Sequence, residues 1–247
     1  MPSGNWTRAT VGIHLVEAWV PTASTIGEAI LFLHDLDAVA PTQHADWREV
    51  LESSPVPVIC PLAGRSWWLS LPTAEFPEGG SLGWVRDEVV PWIDQTWQVK
   101  PPRIGVIGIG MGGQGALNLS YRSARQFPVV AAISAAVDFH RYQPSEPALS
   151  EVFESVEAAR QETATLHLHP LNWPLFQRIA CHPADPLWFE GCERLASKLG
   201  SSGIPFDREF GSLPAFERKA FESKQLRLSI DYVLRNLASA AKQLDVG

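Results

Sequence analysis

The sequence predicts an α/β fold, with a mainly parallel central sheet and helices on both faces. Three observations predict it. Short continuous apolar runs, such as residues 29–33 and 104–107, have the length and composition of strands buried on both faces. Amphipathic or charged stretches separate these runs, and parallel pairing needs crossovers of that length. The chain has 247 residues, 45% hydrophobic and 19% charged. That size and balance suit one well-packed α/β domain, which runs to about 200–250 residues.

Taken in order, residues 10–20 alternate and predict a strand. Residues 29–33 (Ala-Ile-Leu-Phe-Leu) predict a buried strand ending in the polar turn His34-Asp35-Leu36-Asp37. A short helix is expected at 47–53 and a third buried strand at 56–60, closed by Pro61. Residues 65–80 carry Pro72, Pro77 and Gly79-Gly80, which break regular structure and predict a loop. Ser81 is the expected N-cap of a helix through Val99, kinked at Pro91. After Pro101-Pro102 come a strand at 104–107, a helix at 112–126 and an alanine-rich strand at 129–137. Residues 146–165 predict a charged helix. A strand at 178–181, a helix at 187–200 capped by Gly200, a strand at 206–210 and an amphipathic helix at 221–237 complete the pattern. No repeat or linker divides residues 1–247, so a single domain is expected. Residues 141–173 exceed a plain crossover and predict a cap-like excursion over a pocket.

The net charge of −7 gives no footprint for nucleic acid. No apolar run approaches the roughly 20 residues needed to span a bilayer, and residues 1–9 lack the apolar core of a signal peptide. Cys60, Cys181 and Cys192 are odd in number and lack metal-type spacing. A soluble cytoplasmic protein is the expectation, with no cofactor, no metal, and neither membrane nor nucleic acid as partner. A homo-oligomer is compatible with the sequence but has no support in it.

Residues 103–117 carry the chemistry. A strand runs into Gly108-Ile109-Gly110-Met111-Gly112-Gly113 and then into a helix. This is the layout of a nucleophile elbow, G-x-S-x-G, with Gly110 where the serine belongs. Glycine offers no nucleophile. It also takes positive φ at no steric cost, so the strain of an elbow is absent.

The segment 108–117 (Gly-Ile-Gly-Met-Gly-Gly-Gln-Gly-Ala-Leu) resembles the elbow of the α/β-hydrolase superfamily, in its esterase D or S-formylglutathione hydrolase-like branch, everywhere except at that serine. The resemblance covers roughly residues 28–237. Leu33-His34-Asp35 resembles the Leu-His-Gly turn that supplies an oxyanion-hole amide. Ala184-Asp185-Pro186 resembles the segment carrying the triad acid. The resemblance implies an α/β-hydrolase fold and an esterase-like site. Asp185 would be a surviving acid, and Met111, His34, Asp35 and Leu36 would form the oxyanion hole and pocket, with Ser66 and Trp67 beside them. It places the family's histidine near Ser212, yet His182 is the last histidine of the chain. With nucleophile and base both missing, the expectation is a protein that is catalytically silent or very weak, retained for an acyl or ester ligand or for a structural role. An amide hole alone would leave a residual rate of about 10³–10⁴ over water.

Two alternatives accompany this expectation. An unconventional nucleophile or an activated water would keep carboxylic-ester or thioester hydrolysis alive, with Ser66 or Asp185 involved. Gly108, Gly110 and Gly113 also fit G-x-G-x-x-G between a strand and a helix, which predicts NAD(P) binding with Asp138 as the ribose acid. Asp185 has a plainer role too, as a turn and cap residue. Trp67 and Trp68 suit ordinary packing as well as a ligand wall. His167 and His169 are two ligands where zinc needs three or four.

Overall fold

The structure, a computed structural model, describes residues 3–23, 27–211 and 216–245. Its centre is an eight-stranded sheet in the order β1-β2-β4-β3-β5-β6-β7-β8. These strands are β1 (Gly4–Val11), β2 (His14–Pro21), β3 (Ala29–Leu33), β4 (Val58–Pro61), β5 (Ile104–Ile109), β6 (Val129–Ile133), β7 (Phe176–Ala180) and β8 (Asp207–Glu209). From β4 to β8 every neighbouring pair is parallel. The expected mainly parallel α/β sheet is present, with β1 and β2 as an antiparallel hairpin at one edge.

That hairpin corrects the single strand expected at 10–20. The chain reverses at Gly12, whose φ of 62° suits glycine. Alternation continues across the turn, so two short strands look like one in sequence.

The helices are α1 (Ala45–Leu51), α2 (Gly80–Trp84), α3 (Val90–Trp97), α4 (Met111–Arg122), α5 (Pro147–Val152), α6 (Val156–Gln161), α7 (Ala164–His167), α8 (Phe189–Ser201) and α9 (Arg218–Asp245). A π-helical turn, Val85–Val89, joins α2 to α3 without a break. The expected kink at Pro91 is a π turn just before it, and the changed bonding register of that turn accommodates the N–H that Pro91 lacks inside the continuous helix. Gly79, not Ser81, precedes the helix. Gly200 lies inside α8, and Gly203 takes the left-handed turn beyond it.

Two apolar cores flank the sheet. One face packs on α4, α8 and the 67–99 region through Trp67, Trp68, Met111, Leu117, Leu195 and their neighbours. The other packs on α1 and α9 through Trp47, Leu51, Phe221, Ile230 and Val233. The charged helix expected at 146–165 is three short helices, α5 to α7. Arg65–Glu146 (2.8 Å), Arg122–Glu162 (2.5 Å) and Asn118 Nδ2 donating to the Glu162 carbonyl (2.9 Å) fasten them to the body.

The chain steps from β3 outward to β4, then returns to the other side of β3 to form β5. This reversal makes the carboxyl ends of β3 and β5 the topological switch point, the place where open α/β sheets bind ligands. The turn 34–37 and the elbow 108–113 meet there.

Candidate functional site

Gly110 links β5 to α4 with φ 54° and ψ −115°, a conformation that only glycine adopts cheaply. The elbow geometry is intact although the serine is not. The space of the missing side chain is filled. A β-carbon built on Gly110 would overlap the Asp35 carboxylate, with Oδ2 at 2.5 Å and Oδ1 nearer still. Asp35 Oδ1 accepts a hydrogen bond from the Met111 amide at 2.8 Å. The resemblance assigns the Met111 amide to an oxyanion hole; in the structure a carboxylate of the chain itself holds that amide.

Burial pushes the Asp35 carboxyl above the usual range, with Asp37 adding to the rise; the Met111 and Leu36 amides and Arg218 draw it down. The first turn of α4 favours an anion at that place through its free amides and helix dipole. A pyrophosphate would need the same amides, so the G-x-G-x-x-G reading meets a negative charge where it needs a phosphate. Gly108 lies too close to the Gly112 backbone for any side chain, and a β-carbon on Gly113 would press against Ala135. Asp138, the other half of that reading, is paired with Arg141 and Arg194.

His34 is buried in the turn. Its Nε2 accepts from the Ala63 amide (3.2 Å), and its carbonyl accepts from Trp68 Nε1 (3.1 Å). Burial holds the imidazole below its ordinary pKa. Ser66 is buried, and its Oγ accepts from the Trp68 amide. Trp67 is fully buried, its amide donating to Met111 Sδ and its carbonyl accepting from Gln114 Nε2. These residues stitch the 66–68 loop to β3 and α4 rather than line an open wall. Leu36 and Asp35 are partly exposed. His167 sits against Arg122 and Glu162, His169 Nδ1 accepts from the Leu171 amide, and no group of three metal-ligand side chains exists among the described residues.

Asp185 follows β7 and is buried. Its Oδ1 accepts from the Leu187 amide (3.0 Å), the Trp188 amide (3.2 Å) and Arg218 Nη2 (2.7 Å). It is thus a turn cap and an ion-pair partner at once. Arg218 opens α9, just beyond the segment where the family resemblance places histidine. Ser212 itself lies outside the described residues. One turn further on, Glu222 is 4% exposed, with Oε1 3.6 Å from Arg218 Nη1. Burial first, then the charge of Asp35, pushes the Glu222 carboxyl up to about 8. His182 stacks on Phe216 (ring centroids 4.9 Å apart), and its Nδ1 accepts from the Ala184 amide.

Asp185 and Glu222 thus share one guanidinium, while Asp35 is held by the Met111 amide. Sequence reasoning missed Arg218 and Glu222. Their i,i+4 spacing at the start of the last helix was the available signal. Arg218→Ala is expected to destabilise the protein by about 3 kcal/mol, because it strips the buried Asp185 carboxylate of its only cation among the described residues. Urea denaturation at pH 7 measures this, and a loss below about 1 kcal/mol would contradict it.

Residues 28–197 match the family model described as "Putative esterase". No curated protein sequence matches the chain. Among solved structures it is similar to substrate-bound FphF, a fluorophosphonate-binding serine hydrolase of Staphylococcus aureus, at 16% identity, over 93% of this chain and 98% of that one, with a TM-score of 0.76. It is similar to the S-formylglutathione hydrolase of the same organism at 13% identity, over 94% and 99%, with a TM-score of 0.75. The S-formylglutathione hydrolase of Agrobacterium tumefaciens gives 16% identity, over 94% and 98%, with a TM-score of 0.71. At these identities the likeness establishes the α/β-hydrolase fold.

Proposed function

The chain belongs to the esterase family that its residues 28–197 match, and from that premise we propose that it has given up serine-hydrolase chemistry and keeps the site for binding. The observation that carries this is the Asp35 carboxylate on the Met111 amide, over a nucleophile position held by Gly110. Acyl transfer needs a nucleophile, a base and donors free to receive an oxyanion. Here the elbow nucleophile is glycine and an anion already holds the elbow donor. The residual rate of an empty hole is lost as well.

The ligand class proposed from the family is a small acyl or ester compound, entering at the carboxyl ends of β3 and β5. The three cysteines are free and buried, which supports the cytoplasm as the place of action. No helix among the described residues is long and apolar enough to cross a membrane.

The test is hydrolysis of short-chain p-nitrophenyl esters by the purified protein. The expected result is no turnover above buffer. A second reading has one observation in its favour: the Asp35 carboxylate stands where the serine would, and is the natural replacement nucleophile. Turnover that disappears in Asp35→Asn would establish that reading and overturn the first.

A further inference from the structure

Arg178 is a buried cation without a counter-ion. It stands on β7, 8% exposed, with its side chain toward α9, where its Nη2 donates to Gln225 Oε1 at 2.8 Å. Its Nη1 is buried and has no hydrogen-bond partner among the described residues. Burial works against the charge, while Glu209, Tyr232 and Asp207 favour it. None of them, and no other acid among the described residues, forms an ion pair or hydrogen bond with the guanidinium; its one partner is the neutral Gln225. A guanidinium taken out of water is costly unless an anion meets it, and native structures satisfy such donors with protein, water or ligand.

Beside it is room for an anion. Arg178 lines a cavity of about 590 Å³ between the β8 edge of the sheet and α9, walled otherwise by Glu209, Leu228, Asp231, Leu234 and Arg235. None of these residues belongs to the elbow or to the 34–37 turn. Arg235 is exposed, and its Nε donates to the Asp231 carbonyl at 3.2 Å. A guanidinium fork matches a planar carboxylate, which accepts two parallel N–H bonds. Leu228 and Leu234 add apolar surface, still partly open to water, against which a short hydrocarbon chain gains by burial. Glu209 and Asp231 limit the ligand to one negative charge, because every further charge meets theirs. They place an organic carboxylate ahead of inorganic phosphate. An ammonium would meet those acids but leave the buried guanidinium without an anion and add a like charge beside it.

We propose that this cavity is a second ligand site, separate from the elbow, and that it binds a small aliphatic carboxylate. The carboxyl group pairs with Arg178, whose Nη1 turns to meet it, Arg235 closes over it from α9, and the hydrocarbon chain lies on Leu228 and Leu234. The site does not depend on the reading of the elbow. There the chain's own Asp35 carboxylate already holds the Met111 amide, whereas here the buried cation has only a neutral amide as its partner.

The experiment is titration calorimetry of the whole protein at pH 7.5 and constant ionic strength with n-butyrate, n-butylammonium and inorganic phosphate. The expected result is saturable binding of n-butyrate, with phosphate and n-butylammonium weaker or silent. Arg178→Met should weaken butyrate binding by about tenfold or more, and Arg235→Gln should weaken it by a smaller factor. Circular dichroism confirms that the variants are folded. Arg235 is exposed, so Arg235→Gln carries the test if Arg178→Met does not fold. Equal or tighter binding of phosphate or of n-butylammonium would overturn the carboxylate assignment. Binding of none of the three would overturn the site. Butyrate binding that is indifferent to both arginine substitutions would place the anion elsewhere, the elbow included, and overturn the proposal.

Discussion

Asp35→Gly/Gly110→Ser/Ser212→His hydrolyses p-nitrophenyl acetate, and Gly110→Ser/Ser212→His without the first substitution is slower by about 10²–10³. A serine β-carbon at residue 110 needs the volume that the Asp35 carboxylate fills. In the two-site variant the carboxylate either holds the serine out of position or stays near enough to set its charge against the developing oxyanion. In both cases the Met111 amide, which Asp35 engages at 2.8 Å, is not free for the transition state. Losing one such donor costs about 10²–10³ in kcat. Glycine at residue 35 restores the Leu-His-Gly turn that the segment resembles, and it empties the hole. The resemblance pairs the restored histidine with Asp185, whose Oδ2 is unpartnered among the described residues although Oδ1 is taken by Arg218. Comparing kcat for the two variants decides the matter. Equal rates would mean that Asp35 does not close the hole.

This exchange explains what was legible in the sequence. The elbow showed itself because its glycines are close together and each answers a local demand: a turn, a close backbone approach, a positive φ. The central strands showed themselves because buried strands are apolar throughout. The closing of the hole did not. Gly110 and Asp35 are distant in sequence, and neither is odd alone: a glycine in an elbow, an aspartate in a turn. Only the fold shows that one residue's lost side chain and the other's gained side chain occupy the same volume. Arg218 was hidden for a related reason. The family's partner for that acid is a histidine, and no histidine follows Asp185 in the chain. The acid kept a partner of another kind. The three short helices at 147–167 looked like one because a charged, apolar-poor stretch has no periodicity to mark its breaks. Pro147 at the first turn of α5 and Ser155 capping α6 set those breaks.

Glu222→Gln stabilises the protein most at pH 9 and little at pH 5. In the unfolded chain this carboxyl loses its proton near the ordinary 4.5, while in the folded protein it keeps it up to about 8. Between those values the folded state binds more protons, so folding stability falls as pH rises, by up to about 1.4 kcal/mol per unit. Below 4.5 both states are protonated and the penalty is absent. Above 8 both are ionised and the penalty is constant at its largest. Glutamine carries no charge at any pH and removes the slope. It forgoes the attraction to Arg218, which at 3.6 Å is the weaker of that residue's two contacts. The net gain at pH 9 is on the order of 2–4 kcal/mol, and each kcal/mol moves Tm by about 2–4 °C in a chain of this size. Thermal melts of both proteins from pH 5 to 9 measure it. A Tm difference that does not grow with pH would mean that Glu222 is ionised throughout. Arg218→Ala gives the converse check. It removes the cation that favours the Glu222 carboxylate, so its cost should also grow as pH rises, and Glu222→Gln should recover part of that cost at pH 9.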